Sequence, residues 1–410
     1  MVQTDILIIG AGPGGATTAL FLAKYGIRSV VVDKAKFPRD KICGDALSGK
    51  VVEVLKKLDP KLIDELHTRQ NDFLGSFGVT FVAPSGDALR VPFKNEITAT
   101  SAPPGFISKR IDFDNWLIDH VRKHPEIQLF EETELRHFEK TSIGYRATSK
   151  SGEVFESRLI IAADGAYSTF AKDVASLHTE PAHNCFGLRA YYKNVSGLDN
   201  QNFIELHFLK DFLPGYFWIF PLPNGYVNVG VGMRADVVGK SKLNLKKEFE
   251  KIIASHPAIS PRFADSEQIG EVRLHGLPLG SKKRPLSGDN YMLIGDAAML
   301  IDPFTGEGIG NAMMSGMLAA QQAQSCLESN NFSAQGLKSY DKAVYERLWS
   351  ELLLSYRMQQ LVNFPSLFNF VVRKANSNQH LRETISAMFE DLDLRARLKD
   401  PKFYFKLLFS

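Results

Sequence analysis

Glycines at fixed spacing near the N-terminus are the first residues of this 410-residue chain whose pattern could support chemistry. Residues 10–15 have the pattern G-x-G-x-x-G, with Gly10, Gly12 and Gly15 at its glycine positions. In such a turn the first glycine permits a tight bend, the second lets a pyrophosphate approach the backbone, and the third lets the next helix pack closely. The N-terminus of that helix also offers free N–H groups and a partial positive charge. The spacing therefore predicts a dinucleotide-binding turn.

The elements around this turn have the order that dinucleotide binding requires. Residues 5–9 predict a short buried parallel strand, and small and apolar residues at helical spacing predict a helix over about residues 13–24. Gly26 stands where a helix ends, residues 27–32 predict a second strand, and Asp33 follows it. Asp33 is placed to accept hydrogen bonds from an adenosine ribose. Because an acid there disfavours a 2′-phosphate, we do not expect NADP as the resident nucleotide.

Further carboxylates and glycines follow two later apolar runs, at residues 158–163 and 290–294. Carboxylates at strand ends point into the crevice at the carboxyl edge of a parallel sheet, where ligands bind. Asp296 could hold a ribityl hydroxyl, and the glycine-rich turn at 306–310 predicts a helix whose positive end could face a flavin. Either motif alone is also typical of a tight strand-to-helix turn. The cofactor-binding residues predicted here are Asp164, Gly165, Gly295, Asp296, Pro303, Gly306, Gly308 and Ile309.

These three motifs, in this order over residues 10–310, resemble the FAD-dependent group that includes para-hydroxybenzoate hydroxylase. Residues 110–117 also fit that group's R-x-x-F-D-x-x-L helix, which would place Arg110 near the polar chain of the flavin. The alternative is a surface helix capped by Asp112. The resemblance implies FAD as the resident cofactor. It also implies that a nicotinamide donor would bind transiently, since the sequence has no second G-x-G-x-x-G.

The resemblance implies an α/β fold, in which a Rossmann-like FAD-binding domain carries an inserted antiparallel β-sheet substrate domain and a C-terminal helical region follows. Within the insert, residues 216–222 and 226–233 predict two strands joined by a turn at 223–225. Glycines on one face of the second strand predict room for a ligand or a closely approaching backbone. The predicted boundaries are residues 1–74, 101–178 and 286–345 for the FAD-binding domain, 75–100 and 179–285 for the substrate domain, and 346–410 for the helical region.

Two local motifs indicate a subfamily. Residues 214–221 resemble the P-x-x-Y-x-W-x-F-P element of the geranylgeranyl reductase family, with one residue fewer between Pro214 and Tyr216, and residues 41–45 resemble its cysteine–glycine segment. The resemblance implies that reduced flavin N5 delivers a hydride to carbon–carbon double bonds of prenyl chains in isoprenoid lipids, quinones or precursors. An aromatic wall suits such an apolar chain. The predicted catalytic residues are Cys43, Tyr216 and Trp218.

Several alternatives stay open. Tyr216 and Trp218 could serve only in cross-strand packing, and Cys43 could be a plain buried thiol. A monooxygenase or halogenase would use the same cofactor through a flavin hydroperoxide, although halogenases carry W-x-W-x-I-P where this chain has Tyr216 and Phe220 at the outer positions. A flavin electron carrier without a committed organic substrate is a third hypothesis. The substrate, the number of double bonds and the electron donor (NAD(P)H, a ferredoxin-type protein or free reduced flavin) are undetermined.

Composition limits the remaining classes of protein. A formal net charge of +3 is too small to predict a nucleic-acid partner, which needs a concentrated basic face. The three cysteines form no C-x-x-C pair and the ten histidines no H-E-x-x-H, so we predict no metal site. With no signal peptide and no spanning apolar run, we expect a cytoplasmic protein. The aromatic and basic residues 402–409 suit a peripheral membrane contact, with a docked helix or oligomer contact as the alternative.

Overall fold

The computed structural model of the chain describes residues 1–93 and 102–378. In chain order, the strands within these ranges are β1 (Val2–Ile9), β2 (Ser29–Val32), β3 (Ala46–Leu47), β4 (Leu74–Ser76), β5 (Gly78–Val82), β6 (Ala88–Pro92), β7 (Gly105–Ile107), β8 (Ile127–Phe130), β9 (Leu135–Lys140), β10 (Tyr145–Ser149), β11 (Val154–Ala162), β12 (Asn184–Lys193), β13 (Ile204–His207), β14 (Tyr216–Pro221), β15 (Tyr226–Arg234), β16 (Glu267–Pro278), β17 (Ser287–Gly288) and β18 (Tyr291–Leu293). The helices are α1 (Pro13–Lys24), α2 (Gly49–Leu58), α3 (Lys61–Thr68), α4 (Arg110–Lys123), α5 (Thr169–Asp173), α6 (Ala235–Ser241), α7 (Leu245–Ser255), α8 (Ile309–Ser329), α9 (Ala334–Leu361) and α10 (Pro365–Ser377).

A largely parallel sheet forms the first layer, with the strand order β17-β18-β11-β1-β2-β8. From β18 to β8 each neighbouring pair is parallel, whereas β17 and the β9–β10 hairpin join antiparallel. The apolar runs that predicted β1 and β2 are buried on both faces, as central parallel strands require. Helices α1 and α8 pack against each other beside β1. The parallel core of the predicted α/β fold is confirmed.

The turn between β1 and α1 follows the prediction closely. Helix α1 has the predicted bounds, with Gly12 as its N-cap and Pro13 in its first turn. Gly26 follows it with a φ of 73°, a left-handed conformation that glycine adopts without strain. Strand β1 begins at Val2, earlier than its apolar run. The apolar pattern did not indicate this start, because the first half of the strand is only partly buried and carries polar residues.

A second, mostly antiparallel sheet covers one side of the molecule, with the order β16-β12-β15-β14-β13-β5-β6. The predicted strands and turn at 216–233 are present as β14, a short 3-10 turn and β15. The glycines of β15 leave no room for a ligand, but Gly230 does admit a closely approaching backbone, because a Cβ there would lie 2.2 Å from the Leu188 carbonyl oxygen. A Cβ at Gly230 would lie 2.2 Å from the Trp218 ring, and one at Gly232 would lie 3.3 Å from the Tyr216 ring. The space is taken by the aromatic side chains of β14.

Two further predictions concern helix ends and domain boundaries. The N-cap of α4 is Lys109, so Asp112 lies within the first turn and does not cap the helix. The boundary predicted between residues 345 and 346 falls inside α9, which is continuous from Ala334 to Leu361. Residues 379–410, which include the predicted membrane-contacting tail, lie outside the described residues. No helix of the described part of the chain has the length and apolar character needed to cross a membrane.

Candidate cofactor and substrate site

A cavity of about 770 Å³ lies between the parallel sheet and the antiparallel sheet. It brings together residues from the predicted cofactor motifs and from the predicted aromatic wall. Those lining it from the two groups are Cys43, Arg110, Tyr216, Trp218, Phe220, Asp296, Gly306, Gly308 and Ile309. Pro303 lines a small neighbouring cavity instead, and its carbonyl accepts a hydrogen bond from Gln359 Nε2 at 2.6 Å. The other predicted cofactor residues lie at the β1–α1 turn and at the ends of β2, β11 and β18.

The three glycines of the β1–α1 turn have different neighbours. A Cβ at Gly15 would lie 1.9 Å from the Gly10 carbonyl oxygen, and one at Gly10 would lie 2.4 Å from the Ala163 carbonyl oxygen. These two positions are closed to side chains by the protein itself. A Cβ at Gly12 would meet only the Arg39 Nη2 atom, at 3.6 Å. The surface of Gly12 at the start of α1 therefore offers open backbone where a pyrophosphate can approach.

Asp33 lies at the end of β2, where the sequence placed it. Its carboxylate accepts hydrogen bonds from the backbone N–H groups of Ala11 (2.7 Å) and Ala35 (2.8 Å). The carboxylate thus braces the glycine-rich turn. Each oxygen keeps a second lone pair that could accept a ribose hydroxyl.

A buried cluster of charges lies beside the turn. Arg110 donates to both carboxylate oxygens of Asp114 at 2.7 Å, and Arg39 Nη1 donates to the same carboxylate at 2.7 Å. Burial raises the pKa of Asp114, but the Arg110 charge and hydrogen bonds, with Arg39, more than offset this and hold it below its usual value. Arg39 was not predicted. Because it reaches both Gly12 and Asp114, it is a candidate ligand for the cofactor phosphates.

The carboxylate motifs that follow β11 and β18 both lie close to Lys41. Lys41 Nζ lies 3.0 Å from Asp296 Oδ2, and a Cβ at Gly165 would lie 3.9 Å from the same nitrogen. Burial raises the pKa of Asp296, but Lys41 more than compensates, so the carboxyl is ionised. Asp164 is half-buried, but its Oδ1 is buried and has no hydrogen-bond partner among the described residues, and burial raises its pKa. Both carboxyl groups retain capacity to accept from hydroxyl groups of a cofactor.

The turn before α8 and the antiparallel sheet close the site. Gly306 has a φ of 75°, Gly308 is the N-cap of α8, and the helix begins at Ile309. All three residues line the cavity, so the start of this helix lies at the cavity wall. His275 of β16 also lines the cavity. Burial, followed by the positive charge of Lys41, lowers its pKa to about 4, which keeps the imidazole neutral. His275 was missed because β16 is a largely exposed, polar strand with little apolar pattern.

The predicted catalytic residues lie together on the cavity wall. The Tyr216 hydroxyl donates to the Thr305 carbonyl at 3.1 Å, and burial raises its pKa well above the usual tyrosine value. Burial likewise raises the pKa of the Cys43 thiol, which is therefore neutral. The Trp218 indole donates to Asn228 Oδ1 at 2.8 Å. The sequence pattern missed Asn228, which lies on β15 at the position opposite Phe220.

These residues fit FAD. The open backbone at Gly12 and the start of α1 suit the pyrophosphate, and the carboxylates of Asp33, Asp164 and Asp296 suit its hydroxyl groups. Among the described residues there is no group of His, Cys, Asp and Glu that could hold a metal ion.

Comparisons with known proteins agree with this geometry. The profile of the family described as "FAD binding domain" matches residues 3–350. The chain is 29% identical over 363 residues to digeranylgeranylglycerophospholipid reductase of Thermoplasma volcanium, covering 85% of this chain and 84% of the relative. It is 30% identical over 388 residues to menaquinone reductase of Mycobacterium tuberculosis, covering 88% and 85%.

Solved structures show the same relationship. A geranylgeranyl bacteriochlorophyll reductase-like protein from Thermoplasma acidophilum superimposes with a TM-score of 0.78 at 25% identity, covering 100% of this chain and 98% of that one. A flavin-dependent brominase superimposes with a TM-score of 0.76 at 19% identity, covering 98% and 99%, a likeness that shows the fold alone. The chain is an FAD-dependent oxidoreductase and belongs to the geranylgeranyl reductase family.

Proposed function

We propose that the protein reduces carbon–carbon double bonds in the prenyl chain of a lipid or quinone. The observation that carries this proposal is the single cavity that joins the cofactor motifs to an apolar aromatic wall of Tyr216, Trp218 and Phe220. A prenyl chain offers no hydrogen bonds and gains affinity through burial of its surface, which such a wall supplies. The names of the reductase relatives, which refer to a digeranylgeranyl phospholipid and to menaquinone, support this substrate class.

The chemistry requires a hydride and a proton on neighbouring carbons. Bound FAD in its reduced form would supply the hydride from N5. The protein's part is to hold the alkene in a fixed position, to exclude water, and to let a proton reach the second carbon. Tyr216 connects the substrate wall to the turn before α8, because its ring forms part of the wall while its hydroxyl donates a hydrogen bond to the Thr305 carbonyl.

The direct test follows the oxidation of the reduced holoprotein. Protein reduced without oxygen is mixed with a prenylated phospholipid, with menaquinone, or with air-saturated buffer, and flavin absorbance is recorded. We expect rapid reoxidation by one of the prenyl compounds, slow reaction with oxygen, and a product whose prenyl chain is heavier by two hydrogens for each double bond reduced. Fragmentation of the product in the mass spectrometer separates this from reduction of the quinone ring, which also adds two hydrogens. Fast reaction with oxygen and none with prenyl compounds would instead establish a monooxygenase or halogenase. Reoxidation only by a redox protein would establish an electron carrier.

The electron donor is identified in the same apparatus by comparing how fast NADH, NADPH and reduced ferredoxin reduce the flavin. We propose that this donor binds transiently.

Cys43 is proposed to position the substrate. Its thiol is half-buried on the cavity wall beside Arg110, with which it is electrostatically coupled. We expect Cys43→Ala to lower turnover of a prenyl lipid about tenfold without changing FAD content, the size of effect that follows from a slightly misplaced substrate. Cys185→Ala is the matched control, because that thiol is also half-buried but lies outside this cavity. Unchanged turnover in Cys43→Ala would remove Cys43 from the mechanism.

A membrane surface is the proposed source of the substrate. Phe364, which directly precedes α10, and Leu367 and Phe370 within it are spaced three residues apart and are 63%, 46% and 44% exposed. The buried Phe368 of the same helix belongs to the same apolar cluster as Trp218. We expect replacing the three exposed residues by Ser to lower co-flotation with anionic liposomes, whereas Leu274→Ser, at a similarly exposed site on β16, leaves it unchanged. Equal flotation of the two variants would contradict this proposal.

A further inference from the structure

A buried hydrogen-bond network adjoins the aromatic wall and contains the carboxyl group of Asp45, a residue that also lines the cavity itself. Asp45 Oδ2 accepts from the Tyr191 hydroxyl and from Asn228 Nδ2, both at 2.8 Å. Asn228 Nδ2 also donates to the Cys43 carbonyl at 2.8 Å, while its Oδ1 accepts from the Trp218 indole at 2.8 Å. One amide therefore separates Asp45 from the aromatic wall.

The neighbours of Asn228 determine how its amide is oriented. An indole N–H can only donate a hydrogen bond, and a carboxylate can only accept one. The amide oxygen must therefore face Trp218 and the amide nitrogen must face Asp45. A side chain without an acceptor in place of Asp45 would leave that nitrogen with the Cys43 carbonyl alone. The Asp45 carboxylate and the Cys43 carbonyl, which are both acceptors, thus share in holding the amide nitrogen and, through the amide, the acceptor that the indole meets.

Asp45 is held in a costly arrangement. Its φ of 68° is left-handed, which is uncommon outside glycine although Asp and Asn tolerate it. Its side chain is fully buried, and Oδ1 has no hydrogen-bond partner within residues 1–93 and 102–378. Strained conformations and unsatisfied buried groups persist where they serve a function. The direct partners of Asp45 show which function: they lead to the cavity wall.

We propose that Asp45 is a positioning residue, which holds the Asn228 amide so that the Trp218 indole keeps a fixed place in the cavity wall. The ring has room there because position 230 is a glycine: a Cβ at Gly230 would lie 2.2 Å from it. The hydrogen bond is thus the polar restraint on an indole packed over Gly230. That the indole in turn positions a prenyl chain rests on the function proposed above.

The restraint depends on the charge of Asp45. Burial raises the pKa of Asp45 to about 6, against the opposing effects of the Arg189 charge and the two hydrogen bonds that the carboxyl accepts. Above that pH the carboxylate is ionised and holds the Asn228 amide with charge-assisted hydrogen bonds, which are about twice as strong as neutral ones. Below it the hold on the indole weakens. The ionisable groups that face this carboxyl from its own loop, from β12 and from α4 are Cys43, Arg189, Tyr191 and Arg110.

The test observes the indole directly. The chain has three tryptophans, so the ¹⁵N spectrum of the FAD-loaded protein shows three indole N–H signals, and Trp218→Phe assigns one of them. We expect the Trp218 signal to shift with a midpoint near pH 6, the pKa of Asp45. Trp116 gives a comparison signal, since its indole donates to Glu65 at 2.9 Å and packs edge-on against His120. Burial raises the pKa of Glu65, but the hydrogen bond from Trp116 and the charge of His120 more than offset this, and burial lowers the pKa of His120. The Trp116 signal therefore follows Glu65 and His120 and not Asp45.

Asp45→Asn is the matched variant. Asparagine tolerates the left-handed backbone and keeps an acceptor for Asn228, but it cannot titrate. We expect the shift of the Trp218 signal near pH 6 to disappear while the Trp116 signal titrates as before. A Trp218 signal that does not move in the native protein, or that moves equally in Asp45→Asn, overturns the proposal. The titration of the native protein needs no variant, so the test survives even if Asp45→Asn folds poorly.

Turnover supplies the second arm. Asn228→Leu removes all three hydrogen bonds of the Asn228 side chain. We expect it to lower kcat for a prenyl lipid about tenfold to a hundredfold, because the indole then no longer holds the substrate in one place. FAD content should be unchanged, because Asn228 lies outside the cofactor motifs. A coupled Trp218 signal together with native turnover in Asn228→Leu refutes the positioning role. A coupled signal in a native protein that reduces no prenyl compound refutes the proposed function and leaves the coupling of Asp45 to Trp218 intact.

Discussion

Replacing Gly12 by Val is expected to abolish FAD binding while the protein still folds. The new side chain would meet only Arg39 Nη2 in the protein, and the backbone at Gly12 is extended, a conformation that valine adopts readily. The side chain would instead occupy the space in which the pyrophosphate approaches the start of α1. Losing two hydrogen bonds to a charged phosphate costs about 3–6 kcal/mol, or roughly 10²–10⁴ in affinity. Flavin absorbance of the purified protein and titration of the apoprotein with FAD measure the loss.

Gly15→Val is the matched comparison. A Cβ at Gly15 would lie 1.9 Å from the Gly10 carbonyl oxygen, a backbone atom that cannot move without opening the packing of α1 on β1. We expect this variant to be insoluble or to unfold at a much lower temperature, with or without FAD. A Gly12→Val protein that retains one FAD per chain would show that the nucleotide does not bind at this turn. A fully stable Gly15→Val protein would show that the third glycine does not serve packing.

Local signals predicted the nucleotide-binding half of the site. Strand, turn, helix and terminal acid occur within the first 33 residues, and each rests on an apolar run or a residue with a special backbone preference, such as Gly26. For the same reason the bounds of α1 were predicted correctly. Such elements are determined by their own sequence, so one chain without relatives is enough to find them.

The parts of the site that escaped prediction depend on distant partners. Lys41 and Asp296 are 255 positions apart, and Asp45 and Asn228 are 183 apart. Lys41 lies in the cysteine–glycine segment, but nothing in that segment indicates a pairing with Asp296, and only the pairing of β15 with β14 places Asn228 beside Trp218. For the glycines of β15, the pattern itself was recognised but what lies beside them was not. The aromatic side chains of β14 fill most of that space.

The composition of a strand also limits what its sequence can reveal. The C-terminal part of β16 contributes His275 to the cavity, yet much of the strand is exposed and lacks a regular alternation of apolar residues. Similarly, β5 pairs in parallel with β13, which follows it by more than a hundred residues, and thereby joins residues 78–92 to the antiparallel sheet. Such pairings are fixed by the tertiary fold and leave no periodic signal in either segment.

Removing the carboxylate of Asp114 is expected to destabilise the protein more than removing any exposed acid of the same helix. Arg110 is buried and makes two hydrogen bonds to Asp114, so Asp114→Ala would leave a desolvated guanidinium without its partner. Breaking a buried pair in this way costs about 3–5 kcal/mol. Arg39, which is 20% exposed in its side chain, can turn towards solvent and therefore adds little to the cost. The midpoint of denaturant unfolding of the apoprotein measures the change without interference from FAD.

Asp119→Ala provides the control on the same helix. Asp119 pairs with Arg122 at 3.0 Å, but both side chains are more than a third exposed, and such surface pairs contribute about 0–1 kcal/mol.

The two variants should also differ in the pH dependence of their stability. Because the pKa of Asp114 is lower in the folded than in the unfolded protein, its contribution is present above the unfolded value of 3.8 and is lost as the pH falls through the folded value. The difference in the free energy of unfolding between the native protein and Asp114→Ala should therefore become smaller in acid. Asp119→Ala should show the same pH dependence as the native protein. Equal stability of the two variants at neutral pH would mean that the Arg110 guanidinium finds another partner or water, and that the cluster beside the glycine turn is not what holds α4 to the cofactor-binding fold.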